Sequence, residues 1–102
     1  RGSTAVCDLP IPYEADLKAA RKALEEDLLP AFVKDHEDIF HETPTLLGVQ
    51  QLADSAVVLR IVATVDEDNR FAAERWLRED LKTGMERYGM GCPYNRIVVE
   101  RG

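Results

Sequence analysis

The clearest periodic signal in the chain is a strict alternation. Val57, Leu59, Ile61, Ala63 and Val65 fall on one side of an extended segment, and Val58, Arg60, Val62, Thr64 and Asp66 on the other. Successive side chains of a strand point to opposite faces, so this stretch predicts a half-buried strand whose first set meets a core. Two further segments carry the helical period instead. Leu17, Ala20, Leu24, Leu28 and Ala31 recur at spacings of three and four, as do Ala73, Leu77, Leu81, Met85 and Tyr88. Each set makes one apolar stripe along a helix. Lys18, Arg21, Lys22, Glu25, Glu26 and Asp27 fill the remaining face of the first helix, and Glu14 and Asp16 fall in its first turn, where the helix dipole favours negative charge. Pro30 should kink or end that helix, because proline lacks the N–H and its ring crowds the preceding turn.

Shorter elements join these three. Ala5–Leu9 reads as a first strand, stopped by Pro10 and Pro12. A polar connection, residues 35–44, leads to a second strand containing Leu47, Val49 and Leu52. Ala53-Asp54-Ser55 carries the chemistry of a tight reversal. Glu67-Asp68-Asn69 closes the third strand and offers a helix N-cap, while Gly89 and Gly91 supply a C-terminal stop. Gly84, inside the second helix, costs roughly 1 kcal/mol relative to alanine and points to close packing. Cys92-Pro93-Tyr94-Asn95 is a turn, and Ile97-Val98-Val99 a final strand. The order strand–helix–strand–strand–helix–strand is the split βαβ arrangement. It predicts an α+β, ferredoxin-like (βαββαβ) domain, with an antiparallel sheet and both helices on one face. Residues 1–4 read as a flexible tail or linker and residues 5–102 as one domain of ordinary size.

Composition narrows the function. Hydrophobic residues make up 45% and charged residues 31%, a globular balance. Thirteen Lys and Arg against nineteen Asp and Glu leave a net charge of −6, which repels phosphate backbones and argues against a nucleic-acid partner. The third strand also lacks the aromatic residues on which RNA-binding domains of this topology stack bases. No apolar run approaches the ~20 residues of a membrane helix, and no signal-peptide core is visible at the N-terminus.

Candidate chemistry is sparse. His36 and His41 lie among Asp35, Glu37, Asp38 and Glu42, all metal-competent groups. Metal sites need ligands converging from rigid supports, and this cluster is local to one connection, so we expect no metal and no cofactor. Cys7 and Cys92 form no CxxC pair and read as reduced packing residues. No nucleophile, base or phosphate loop is assembled by the spacing, which predicts a protein that is not an enzyme. One feature stands apart. Val58 and Val62 fall on the sheet face away from the helices, and Trp76 lies beside the Ala73-Leu77-Leu81 stripe. Large apolar groups outside a predicted core mark a partner surface, so these three are the candidate subunit-interface residues.

Three stretches resemble a known family. Pro10-Ile11-Pro12-Tyr13-Glu14-Ala15-Asp16-Leu17 is similar to the entry of the last cytoplasmic domain of the small-conductance mechanosensitive channel (MscS-like) family. The run from Leu47 through Gly48, Leu52 and Asp54-Ser55 to Leu59-Arg60 resembles that family's hairpin. Gly89-Met90-Gly91-Cys92-Pro93-Tyr94-Asn95 resembles its exit turn, with Asn95 in place of a frequent second proline and Arg96 in place of glutamine. Phe71 stands where a tryptophan is common. The resemblance implies the C-terminal domain of a membrane channel that releases solutes in osmotic downshock. It implies identical subunits as partners, a heptamer in the best-known members, and a place in a cytoplasmic vestibule that filters solutes. The membrane helices and middle β domain are not in this chain. The rival reading is a free-standing ferredoxin-like module that binds a small ligand or metal.

Overall fold

A computed structural model describes residues 2–92. Its strands are β1 (Gly2–Ile11), β2 (Thr45–Leu52) and β3 (Val57–Asp66). Helical backbone runs through α1 (Leu17–Ala23), a π-helical segment (Leu24–Leu28) and α2 (Leu29–Asp35). A 3₁₀ turn (Glu67–Asn69) leads into α3 (Arg70–Arg87). The expected last strand, Ile97–Val99, and most of the turn before it lie outside the described residues.

The sheet order is β1-β3-β2, and both neighbours of β3 run antiparallel to it. β1 and β2 are therefore parallel, joined by the helical crossover, with β3 slotted between them. This is the split βαβ core, and the fold is α+β as the element order predicts. The residues explain who takes the centre. β3 has strict alternation, six β-branched residues from Val57 to Val65 and no Pro or Gly. β1 contains Pro10 and β2 contains Gly48, which suit edges and bulges.

One cluster of buried side chains holds the molecule together. Val57, Leu59, Ile61, Ala63 and Val65 all point into it, paired across β1 with Ile11, Leu9, Cys7, Ala5 and Ser3 in that order. Leu77 and Leu81 on α3 and Leu24 and Leu28 from the crossover cover them, so both helical layers pack on the same face.

Several local expectations need correcting. β1 is longer at both ends than Ala5–Leu9, and Pro10 is inside it. The N–H of Val6 points away from β3, to a carboxylate of Glu74, so by the period of two the position of Pro10 also has its missing N–H on the free side. Pro30 does not end the first helix. It sits in the first turn of α2, directly after the π segment, in which the N–H of Leu29 bonds the carbonyl of Leu24 five residues back. That wider turn makes room where the proline ring would otherwise crowd the ladder. Ala20, Leu24 and Leu28 are buried as expected, with Ala23 beside them, while Leu17 at the helix entry is exposed. Past the π segment the stripe is rotated, so Ala31 is exposed and Leu29 and Phe32 are buried instead. Asp16 is the N-cap of α1, accepting from the N–H of Lys18 at 2.9 Å, rather than a first-turn residue. Asn69 occupies the cap position of α3 without a side-chain cap bond. Tyr88 leaves the α3 stripe and its hydroxyl donates to Asp27.

The α3 terminus is built as its glycines suggest. Gly89 has φ +75°, its N–H bonds Glu86 and that of Met90 bonds Met85, which is the Schellman pattern. Gly84 lets α3 approach the crossover closely: a Cβ there would lie 2.6 Å from a methyl of Leu28.

Candidate subunit interface

The two faces of the sheet differ in kind. On the outer face, away from the helices, β1 and β3 present cross-strand pairs: Thr4 with Thr64, Val6 with Val62, Asp8 with Arg60, and Pro10 with Val58. Val6, Val58 and Val62 are half-buried there. Between them Arg60 grips Asp8 with two hydrogen bonds, Nε to Oδ1 at 2.8 Å and Nη2 to Oδ2 at 2.9 Å. This forked geometry fits a carboxylate and neutralises both charges on an apolar strip. The hydrogen bond from Arg60 holds the Asp8 carboxyl below its ordinary value of 3.8.

Trp76 is elsewhere. It lies on α3, in the helical layer, half-buried and packed against the core cluster. His36, just past α2, stacks on its indole with centroids 4.9 Å apart and planes at 15°. The same imidazole reaches Asp80 on α3 through Nε2 at 3.3 Å and tilts against Phe32 at 4.5 Å. Phe40, almost fully buried, packs edge-on to Phe32 and anchors the connection that reads as polar in sequence. The structure thus brings Val58 and Val62 together on one face and places Trp76 on a different side of the molecule.

His36 is turned into this aromatic stack, and His41 is exposed. Among the described residues no group of three or more His, Cys, Asp and Glu side chains is arranged to hold a metal. Cys7 is fully buried on β1, and burial pushes its thiol up to about 11. Cys92 is half-buried, lining a cleft of about 290 Å³ beside Leu9, Pro10 and Met85. Its thiol is raised as well, by burial first and by Glu14 second.

Sequence reasoning missed a group of exposed apolar side chains on one strand. Leu47, Val49 and Leu52 belong to β2 as expected, yet they are 60%, 47% and 70% exposed. Only Leu46 on that strand is buried. Composition gives no warning: four of the eight positions in Thr45–Leu52 are apolar, the share a strand with one covered face needs, yet three of those four stay uncovered. Register shifts between Leu46 and Gly48 and between Val49 and Gln51 break the alternation that would have sorted them.

A curated relative, the small-conductance mechanosensitive channel of Caldanaerobacter subterraneus subsp. tengcongensis, is 28% identical over 95 residues. The match covers 93% of this chain and 33% of the relative. The chain resembles the MscS-like family over nearly its whole length. It spans about a third of the channel it matches. No family model matches the chain. Among the described residues no helix is long and apolar enough to cross a membrane.

Proposed function

We propose that this chain is the C-terminal cytoplasmic domain of an MscS-like mechanosensitive channel, one wall segment of a vestibule formed by identical subunits. The observation that carries the reading is the match of nearly the whole chain to a third of a channel, supported by a single α+β core in the order that the family resemblance implies. In this role the domain acts through assembly and solute filtering, on the cytoplasmic side of the membrane, and performs no catalysis. Residues 5–102 form the working unit, with Gly2–Thr4 extending its first strand rather than serving as a loose tail. Val58 and Val62 on the outer face and Trp76 on α3 are the proposed contact residues. A closed ring of identical subunits joins two different patches at each contact, which suits separate apolar surfaces on one chain.

A chimera tests this. The chain replaces the matching third of the Caldanaerobacter channel, and the product is sized on native gels and patch-clamped under bilayer tension. The expected result is an oligomer of the parent's size that opens under tension. A chimera that inserts and folds but stays monomeric would remove the reading.

A further inference from the structure

We infer that β2 carries a second contact surface, onto which a neighbouring copy of this chain lays the outer face of its own sheet. The inference deepens the assembly reading above and rests on it.

β2 is an edge of the described sheet, so one side of its backbone has no strand partner there. Natural edge strands are usually guarded by charge or proline, because an open edge invites another chain. Within Thr45–Leu52 neither charge nor proline does so, and the two register shifts are its guard instead. From Thr43 to Ala53 there is no ionisable side chain, the longest such run in a chain in which 31% of residues are charged. Leu47, Val49 and Leu52 project from it, well exposed. The start of the helical layer adds to the same side. Tyr13 donates its hydroxyl to the carbonyl of Ala53, and the side chain of Arg21 comes within 3.7 Å of the Cβ position of Gly48. Tyr13 and Leu17, one turn before Arg21, are 49% and 45% exposed. Five of the seven large apolar side chains exposed among the described residues therefore collect at β2 and the entry to α1.

Charge selects the occupant. Two copies of a chain with net charge −6 repel, so their contact must be made where charge is absent or already paired. β2 has none. The outer face has Val6, Val58 and Val62 around an Asp8–Arg60 pair that is neutral as a unit. These are two unlike patches on different sides of one molecule, which is what a head-to-tail contact requires. The described chain ends at Cys92, in the cleft beside Leu9 and Pro10 of β1, at the opposite edge of the sheet from β2.

Two cysteine variants decide the geometry. In a Cys92→Ser background, with Cys7 buried, Leu52→Cys and Val62→Cys chains are prepared separately, mixed at the highest soluble concentration and oxidised mildly. The mixed Leu52–Val62 disulfide should dominate over either like-with-like product. Sedimentation of the chain without these changes should show reversible association, and Leu52→Asp or Val49→Asp should weaken it about tenfold or more by placing a carboxylate in the contact, with the melting temperature unchanged. Dominant Leu52–Leu52 disulfides would overturn the inference in favour of twofold pairing of β2. Association that both aspartate variants leave intact would overturn it while the assembly reading stands. A chain monomeric at every concentration would overturn the inference, while the chimera decides the assembly reading separately.

Discussion

Leu59 has a neighbour on each side, and the two differ. Leu9 on β1 is 3% exposed and Val49 on β2 is 47% exposed, although all three share one face of one sheet. The β1–β3 ladder is unbroken from Gly2 with Asp66 to Ile11 with Val57, and its inward residues are all covered where they are apolar. The β2–β3 ladder shifts register twice and leaves three of the four apolar residues of β2 open. The helical layer explains the contrast. α3 packs along β1, and the π segment of the crossover reaches β2, where Leu46 alone is buried, so the roof leaves the rest of β2 uncovered. Hydrophobic burial stabilises the first half of the sheet, while the second half presents the same kind of side chain to solvent. Its apolar residues make sense as surface for another molecule.

The largest expected effect tests that division directly. Leu59→Ala should cost about 2–5 kcal/mol in denaturant unfolding, as truncation of a buried leucine does. Leu52→Ala, on the next strand, should stay within about 0.5 kcal/mol, as exposed substitutions do. Similar losses at both positions would show that β2 is covered in solution by part of the same chain.

A second test uses backbone rather than side chain. Gly48 sits at the first register shift with φ +133°, a conformation that a Cβ disfavours. Gly48→Ala should cost about 1–3 kcal/mol, although nothing tight surrounds the site. Gly84→Ala works in the opposite way: the backbone is ordinary helix, alanine gains roughly 1 kcal/mol of propensity, and the new methyl collides with Leu28. Overpacking of about 1–3 kcal/mol should leave a net loss, read as a lower midpoint with unchanged slope. A stabilised Gly84→Ala chain would show that Leu28 yields freely and that the α3–crossover contact is loose.

These contrasts also mark what the sequence could disclose. The α+β class, the hairpin and the inward set of β3 follow from clean periods of two and 3.6. So does the buried run Ala73-Leu77-Leu81-Met85. In the crossover the expected Ala31 gives way to Phe32 because a π turn advances the stripe by one extra residue, and no side-chain pattern announces it; Leu17 departs earlier, at the helix entry. Phe40 was hidden in a polar stretch, since one anchoring aromatic has no period. At the candidate interface, Val58 and Val62 were legible from the alternation of β3. Leu47, Val49 and Leu52 were not, because burial of β2 depends on how far a helical layer reaches, which is a tertiary fact. Trp76 was legible as lying off the stripe, whereas its stacking on His36 required the end of α2 to meet α3.

Thiol chemistry separates the two cysteines along the same lines. Cys7, inward on β1, should resist alkylation in the native chain and react on unfolding, while Cys92 should react natively at a modest rate because its thiol is also raised. Mass spectrometry after a short pulse of reagent should show one label, on Cys92. The raised Cys7 value also gives a sign: relative to neutral pH, stability should fall as pH climbs from the ordinary 9.0 toward about 11, since only the unfolded chain releases that proton readily.

The smallest effect belongs to the outer face. The Asp8 carboxyl is held below 3.8 by its bond to Arg60, so the contribution of the pair is present above that value and is lost as pH falls through the lowered one. Both side chains are partly open to water, 33% for Arg60 and 42% for Asp8, and solvent screens them. Asp8→Asn should therefore lower the melting temperature only slightly at neutral pH, and the difference from the parent chain should vanish in strong acid, where both side chains at position 8 are uncharged. The variant should have a larger consequence for association, because it leaves Arg60 unpaired on the proposed contact face. Raising ionic strength should strengthen association of the parent by screening the repulsion of two −6 chains, and do so less in the variant, which carries one negative charge fewer. Equal salt dependence in the two would show that Asp8 and Arg60 lie outside the contact and that the apolar strip around them stays in water.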